Sequence, residues 1–301
     1  MAKKGKSWNR STMGASAQCQ KEKESTVLPI NRARKVEPFV VSVASGKGGV
    51  GKTLTTINLA IATRSMGYRV LILDGDFGLA NIDVLLGLNA KHNISEVLDD
   101  FISMDELLME GPEGIQIIPS GSGLTRLQEM SFAERQTILD RIKQLEKYFD
   151  IIFIDTGAGI SSNVLHLNSV SQKRIVVCTP EPHSITDAYA FIKVLAEEKQ
   201  VNEFDLLVNM ANSDREAKDV AYRIIETCVR FVNIRPRYLG YVPTDDHIIK
   251  SVKSQKIDGS NLHQSVAGQA WYQIAQKSFA SENFRSVPGS PKKFWSKFLT
   301  T

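Results

Sequence analysis

The sequence predicts an α/β fold, a single doubly wound and mostly parallel sheet with helices on both faces. Three observations predict it: short apolar runs rich in β-branched residues, helical patterns between most of these runs, and a glycine-rich loop directly after the first run. Strands that alternate with amphipathic helices imply right-handed crossovers and therefore a parallel sheet. The predicted strands lie at 39–44, 70–73, 115–118, 151–154, 174–177, 204–208 and 238–242.

The predicted helices follow from apolar periodicity and from residues that cap helix N-termini. Ser131 with Glu134 matches the sequence pattern of a capping box, and Ser184 with Asp187 is a second candidate for a helix start. The predicted helices are 54–66, 132–147, 185–199 and one that ends near Ala280. About seven strands in about 240 residues need only one domain.

Length and composition exclude several classes of protein. The 301 residues are 42% hydrophobic and 23% charged, which is ordinary for a globular chain. No run approaches the roughly 18 apolar residues of a membrane span, and the first thirty residues lack the apolar core of a signal peptide. Cys19, Cys178 and Cys228 lie far apart, which argues against a disulfide framework, a zinc site or an iron–sulfur cluster. We expect a reducing, cytoplasmic environment.

Basic residues are concentrated at the two ends of the chain. The net charge is +4, but residues 1–38 hold nine Lys or Arg against three Asp or Glu, and residues 281–301 hold four against one. The part between them therefore carries about −5. A nucleic-acid-binding body would more often be basic, so DNA is not the expected partner. We expect a flexible basic arm at 1–38, one domain at 39–280, a linker at 281–291 and a tail at 292–301.

The loop after the first predicted strand matches the phosphate-binding pattern G-x-x-x-x-G-K-[ST]. Its glycines allow backbone N–H groups to surround phosphate oxygens, and the helix that follows turns its positive end toward them. Lys52 would bind the β- and γ-phosphates, and the Thr53 hydroxyl would coordinate Mg²⁺. The candidate nucleotide-binding residues in this segment are Gly46, Lys47, Gly48, Gly49, Val50, Gly51, Lys52, Thr53 and Thr55.

Acidic residues follow two of the predicted strands. Asp74 and Asp76 are two residues apart, so both should point toward the crevice at the carboxyl ends of the strands, although such a D-G-D turn is common. Asp155 follows a buried strand, as a carboxylate that supports Mg²⁺ through water does. Gly157 and Gly159 permit the backbone movement that a γ-phosphate sensor needs.

The second lysine of the loop, Lys47, makes it resemble the deviant Walker A loop of the MinD/ParA family. The resemblance implies that two subunits pair on ATP and that Lys47 reaches the nucleotide of the opposing subunit; an exposed surface lysine is the alternative. Residues 74–81 resemble switch I of MinD-like ATPases. This match implies that Asp76 orients or deprotonates the attacking water, that Asp74 holds the water shell of the metal, and that Asn81 is a switch residue near the γ-phosphate.

The resemblance also implies two contacts to the adenine base. Asn209 closes a predicted strand where family members place an Asn against adenine, and Pro243 matches the segment that packs on the base. Either residue could instead be a turn residue that ends a strand. The guanine-specifying sequence N-K-x-D does not follow Asn209, so ATP with Mg²⁺ is expected rather than GTP.

Two further segments, 155–161 and 179–189, look most like the FlhG (FleN, YlxH) branch of the family, which controls flagellar number and placement. The implied partners are the flagellar GTPase FlhF, flagellar switch or C-ring proteins, or a flagellar transcription activator. Residues 1–38 lack the D-Q-A-x-x-L-R motif with which FlhG proteins often engage FlhF.

The last ten residues have the pattern of a short amphipathic helix that binds membranes. Its apolar face consists of Phe294, Trp295, Phe298 and Leu299, and Lys293 and Lys297 lie on the opposite side. This layout suits an anionic membrane surface and resembles the membrane-targeting tail of MinD. Two tails on a dimer would bind much better than one. Packing of the aromatic residues on the protein body is the alternative.

These observations lead to one hypothesis with three alternatives. The hypothesis is a slow, switch-type and partner-stimulated ATPase that forms homodimers on Mg-ATP, attaches reversibly to the inner face of the membrane and controls flagella. The alternatives are a ParA-like partition ATPase that binds DNA without sequence specificity, a MinD-like regulator of the division site, and a regulator that binds nucleotide, barely hydrolyses it and sequesters a transcription activator.

Overall fold

A computed structural model describes residues 38–76, 82–92, 101–119, 147–257 and 263–280, with isolated positions between 96 and 145 and at 259. The strands are β1 (Phe39–Ser45), β2 (Val70–Gly75), β3 (Met109–Glu110), β4 (Gln116–Ile118), β5 (Ile151–Ala158), β6 (Lys173–Cys178), β7 (Asp205–Ala211) and β8 (Arg237–Pro243). The helices are α1 (Lys52–Ser65), α2 (Ile82–Leu86), α3 (Met104–Leu107), α4 (Ser162–Val170), α5 (Pro182–Lys199), α6 (Asp214–Val232), α7 (Asp246–Lys253) and α8 (Val266–Phe279).

The strands form one sheet in the order β3-β4-β2-β5-β1-β6-β7-β8. All pairs are parallel except β3 with β4, where Met109 stands opposite Ile117 in an antiparallel arrangement. The mostly parallel sheet and all seven predicted strands are confirmed. The two-residue edge strand β3 was missed because a segment this short carries no period-2 pattern.

Helices cover both faces of the sheet, as predicted. Alternate strand residues point to opposite faces, so Val41 and Val43 pack with α1 and α8, whereas Ala44 packs with α5 and α6. Strand β1 lies in the middle of the sheet and all seven of its residues are buried. The loop after β1 therefore emerges at the centre of the carboxyl edge, where ligands of such sheets bind.

Helix α5 begins earlier than its predicted capping residue. Its first residue is Pro182, and Ser184 does not cap it, because the Ser184 hydroxyl accepts the backbone N–H of Thr179 (2.9 Å). Proline at the first helical position has its φ already set for a helix and has no N–H to satisfy, which explains the earlier start. The helix predicted over 132–147 lies mostly outside the described residues.

The domain boundaries stay predictions. Residues 1–37 and 281–301, which hold most of the predicted arm, the linker and the tail, lie outside the described residues, as does Asn81. Within the described ranges, no helix combines the length and the apolar character that a membrane crossing requires.

Candidate nucleotide-binding site

The loop between β1 and α1 has the backbone of a phosphate-binding loop. Gly49 and Gly51 adopt left-handed φ angles of 81° and 82°. Two glycines are required by close packing: a Cβ on Gly46 would overlap the backbone of Asp187, and one on Gly51 would overlap the side-chain amide of Asn209. The loop ends at the N-terminus of α1, whose positive end faces the site.

The lysine of the loop forms a buried ion pair with the acid of β5. The Lys52 Nζ lies 2.9 Å from the Asp155 Oδ1, and the two side chains are 8% and 0% exposed. The Thr56 hydroxyl donates to the same Oδ1 (2.9 Å). Removing either partner of a buried ion pair destabilises the folded protein, because the remaining charge is left uncompensated in the interior.

The second oxygen of this carboxylate makes the site fit a magnesium ion. Among the described residues, the buried Asp155 Oδ2 has no hydrogen-bond partner, and such an orphaned acceptor costs about 1–3 kcal/mol. Mg²⁺ keeps several waters and binds through one or two carboxylates plus phosphates, so water of its shell could donate to this oxygen. Thr53 lines the adjacent cavity, as a direct ligand would. No group of three His, Cys, Asp or Glu side chains arranged for a metal occurs in the described part of the chain.

Asp74 and Asp76 lie at the same edge of the sheet. Asp74 is fully buried and stands opposite Asp155 in the parallel register of β2 and β5. Its Oδ1 accepts the backbone N–H of Asp76 (3.1 Å). The Asp76 carboxylate lines the cavity beside Gly157, with its Oδ1 3.6 Å from the position that a Cβ on Gly157 would take. The structure thus brings the three predicted acids together.

A cavity of about 760 Å³ lies over the phosphate loop, within the range of ordinary ligand pockets. The polar and charged residues that line it include Lys47, Lys52, Thr53 and Asp76. Its apolar lining includes Pro243, Ile248 and Trp271, together with Met210, whose Cε lies 3.4 Å from the position that a Cβ on Gly51 would take. This combination of charged and apolar lining matches the triphosphate and the base of a nucleotide.

The two predicted adenine contacts line this cavity, but Asn209 also supports the loop. Strand β7 continues to Ala211, so Asn209 lies inside the strand rather than closing it. Its Nδ2 donates to the Val50 carbonyl (2.8 Å), which ties β7 to the phosphate loop. Met210 follows with a left-handed φ of 57°. It lies where the register between β7 and β8 shifts.

Lys47 contacts an acid of its own chain. Its Nζ lies 2.9 Å from the Glu181 Oε2 at the start of α5, and the two side chains are 40% and 64% exposed. The Lys47 carbonyl accepts the Ser45 hydroxyl (2.8 Å). The Lys47 ammonium group therefore lies at the rim of the cavity. Its ion pair with Glu181 is exposed to solvent and contributes little free energy.

Of the remaining predicted residues, Gly159 and Thr55 are described by the structure and the others are not. Gly159 has a left-handed φ of 86°, and its N–H donates to the Ser45 carbonyl (2.9 Å) at the end of β1, where the loop begins. Thr55 is fully buried inside α1 and does not line the cavity, whereas its neighbour Leu54 does. The residues Asn81, Lys293, Phe294, Trp295, Lys297, Phe298 and Leu299 lie outside the described residues.

Sequence reasoning missed three residues of the site. Thr56 follows Lys52 by one helical turn, and this i, i+4 spacing could have indicated that both side chains reach the same acid. Trp271 and Glu181 are distant in sequence from the loop and carry no local signal.

The phosphate loop, the central parallel strands and the buried acid define a nucleotide-binding protein of the P-loop class. A family model described as an AAA domain matches residues 39–206. The antiactivator FleN of Pseudomonas aeruginosa is 35% identical over 238 residues, 79% of this chain and 85% of FleN. The flagellum site-determining protein YlxH of Helicobacter pylori is 34% identical over 239 residues, 78% of this chain and 80% of YlxH. The chain belongs to this family of MinD/ParA-like P-loop ATPase regulators.

Two MinD proteins are also similar. The septum site-determining protein MinD of Synechocystis is 31% identical over 240 residues, 79% of this chain and 88% of that protein. The structure of MinD from Pyrococcus horikoshii, complexed with Mg-ADP, superposes with a TM-score of 0.60 at 23% identity and covers 80% of this chain and 95% of that one. The likeness to that structure confirms the fold.

Proposed function

We propose that this protein is an ATP-dependent switch that controls flagellar number or placement. In this proposal it binds Mg-ATP, forms a homodimer, attaches reversibly to the inner face of the cytoplasmic membrane, and is reset by slow hydrolysis that a partner stimulates. The observation that carries the nucleotide step is the buried Lys52–Asp155 pair beside a cavity whose lining combines charged and apolar side chains. The flagellar role is supported by the similarity to FleN and YlxH.

The proposed nucleotide binding begins with a change of partner for Lys52. A triphosphate in the loop offers several negatively charged oxygens to the Lys52 ammonium group. This group would therefore turn from Asp155 to the β- and γ-phosphates. Asp155 and the Thr53 hydroxyl would then hold Mg²⁺. The cation would neutralise the negative charge that develops on the phosphates. Asp74, fixed in the neighbouring strand, would accept from the water shell.

Hydrolysis in this proposal depends on Asp76 and Lys47. The Asp76 carboxylate lines the cavity, and in this proposal it orients the attacking water or takes its proton. Lys47 can leave Glu181 at little cost because an exposed ion pair contributes only about 0–1 kcal/mol. In a dimer it would reach the nucleotide of the other subunit, as an arginine finger does.

The first test is whether ATP produces a dimer. Asp76→Ala should bind Mg-ATP and remain dimeric in light scattering, because hydrolysis no longer resets it. Lys47→Ala is the matched variant: it should bind Mg-ATP but stay monomeric. If the Asp76→Ala protein is monomeric at saturating ATP, the switch model is wrong.

The second test separates membrane attachment from DNA binding. The ATP-loaded protein should sediment with anionic vesicles and lose this behaviour when residues 291–301 are deleted, because the predicted tail supplies the lipid contact. Salt-dependent DNA binding that requires ATP would instead favour the partition alternative. A labelled protein that gathers at division sites would favour the MinD-like role, which the similarity to Synechocystis MinD supports.

The partner is the most specific part of the proposal. The candidates are FlhF, flagellar switch or C-ring proteins, and a transcription activator, the last suggested by the antiactivator name of FleN. Turnover measured with each purified candidate tests this step. A partner that leaves ATP turnover unchanged but binds only the ATP form would indicate sequestration rather than stimulation.

A further inference from the structure

Lys47 pairs with a carboxylate that does not itself line the cavity. Among the described residues of the lining, the cations are Lys47, Lys52 and Lys253, and Glu181 does not belong to this set of residues. The Lys47 Nζ nevertheless lies 2.9 Å from the Glu181 Oε2. The ammonium group is therefore held toward helix α5 of its own chain.

Glu181 stands at the N-cap position of α5. Within the described residues, its side chain makes no capping hydrogen bond to that helix. Other contacts fix the backbone around it, because the Ser184 hydroxyl accepts the Thr179 N–H (2.9 Å) and the Glu181 carbonyl accepts the Ile185 N–H (3.1 Å). The Glu181 carboxylate can therefore bind Lys47 without giving up a capping contact.

The backbones of the two partners are fixed relative to each other. Helix α5 packs directly on the phosphate loop, because a Cβ on Gly46 would overlap the Asp187 carbonyl group. The Ser45 hydroxyl donates to the Lys47 carbonyl (2.8 Å), which fixes the loop backbone at this point. Forming or breaking the ion pair therefore requires rotation of the two side chains rather than a shift of the backbone.

The ion pair weakens the attraction of Lys47 for a phosphate group. A carboxylate 2.9 Å away offsets the positive charge of the ammonium group, and its own negative charge repels the triphosphate of an approaching subunit. In a symmetric dimer this effect counts twice, because each subunit contributes one such pair. A single exposed pair contributes little free energy, so the two pairs oppose dimerisation without preventing it.

We propose that Glu181 is a positioning residue that holds Lys47 on its own subunit and thereby raises the protein concentration at which ATP-bound subunits pair. The proposal rests on the proposed function, in which Lys47 reaches the nucleotide of the opposing subunit. Glu181 acts through Lys47, and this role requires no contact with the phosphates or with the attacking water.

The test compares two acids of helix α5 in the full chain. Both variants carry Asp76→Ala, so that hydrolysis does not reset the dimer. Glu181→Gln removes the partner of Lys47, and Glu197→Gln is the matched control. The Glu197 Oε1 lies 3.9 Å from the Lys193 Nζ near the other end of the helix, and this pair is also exposed. The dissociation constant of the dimer is measured by sedimentation velocity at saturating Mg-ATP, at low and at high salt.

The expected result is a tighter dimer in Glu181→Gln. Its dissociation constant should fall about tenfold at low salt, or about threefold for each of the two pairs, which is within the range of exposed ion pairs. The ratio of variant to parent should approach one at high salt, because exposed charges are screened. Glu197→Gln should keep the parent value, and so should Glu181→Asp, which retains the negative charge.

Three results would overturn the role of Glu181. One is an unchanged or higher dissociation constant in Glu181→Gln, and another is an equal gain in Glu197→Gln, since the effect would then belong to net charge. The third concerns Lys47→Ala, which should stay monomeric in the Asp76→Ala protein whether or not Glu181 is altered. If Glu181→Gln restores the dimer there, it does not act through Lys47. The absence of an ATP dimer in every variant that retains Lys47 would refute the proposed function itself, and the role of Glu181 with it.

Discussion

Replacing Lys52 by methionine tests whether the buried pair governs the stability of the nucleotide-free protein. The substitution keeps most of the side-chain volume but leaves Asp155, which is 0% exposed, with the Thr56 hydroxyl as its one remaining side-chain partner among the described residues. Removing one member of a buried ion pair typically costs about 3–5 kcal/mol. This is a large part of the roughly 5–15 kcal/mol that stabilises a domain.

The magnitude can be isolated with a double-mutant cycle. In Lys52→Met combined with Asp155→Asn no charge is left uncompensated, and the amide oxygen still accepts from Thr56. We therefore expect the double variant to regain about 2 kcal/mol or more of the loss caused by Lys52→Met. Lys47→Met is the matched control, because it removes a pair of the same 2.9 Å length that is largely exposed and should cost less than about 1 kcal/mol.

Urea denaturation followed by circular dichroism gives the free energy of unfolding of each variant. Addition of Mg-ATP should raise the melting temperature of the parent but not of Lys52→Met, Asp155→Asn or the double variant, because ligand binding stabilises only the state that binds it. Two results would refute the assignment of Lys52–Asp155 as a buried electrostatic contact. One is that Lys52→Met unfolds at the same urea concentration as Lys47→Met. The other is that the double variant is no more stable than Lys52→Met.

Three further predictions concern the loop, the thiols and the opposite edge of the sheet. Gly51→Ala should reduce nucleotide affinity at least tenfold in calorimetry. A Cβ at this position overlaps Asn209, and the φ of 82° is one that residues other than glycine rarely adopt. Unchanged affinity would contradict this prediction. Burial raises the pKa of Cys178 to about 12 and that of Cys228 to about 11, so alkylation at pH 8 followed by peptide mass analysis should find both unmodified until urea unfolds the chain. Asp205→Asn should cost about 3 kcal/mol in urea denaturation, since Lys173 is left without its 2.7 Å partner, yet ATP affinity should stay at the parent value.

Much of the phosphate end could be predicted because its residues are consecutive. The identity of the loop, the strand before it and the helix after it are encoded within about thirty residues, and both predicted elements are confirmed. The position of Asp155 at the same edge also follows from sequence, since the carboxyl ends of parallel strands share one edge. The strand ends were less accurate: β5 and β7 run past the predicted limits, because pairing with neighbouring strands continues beyond the apolar run.

The apolar lining of the cavity could not be predicted in the same way. Part of it comes from helices α7 and α8, and Trp271 follows the loop by more than two hundred residues. The apolar periodicity of a helix indicates that one face is buried but does not say against what. The shared capping of two helices by Asp245 depends on the meeting of their first turns in space.

The sequence by itself determined the fold class, the strand that leads into the phosphate loop, and the residue types that would contact phosphate and magnesium, because these depend on local spacing and period. Only the tertiary structure decided the present partners of those residues: Lys52 on Asp155, Lys47 on Glu181, and Asn209 on the Val50 carbonyl. Such pairings depend on how the sheet orders its strands and on which helix starts meet at its carboxyl edge. Contacts between groups more than a hundred residues apart arise from packing, and no local pattern encodes them.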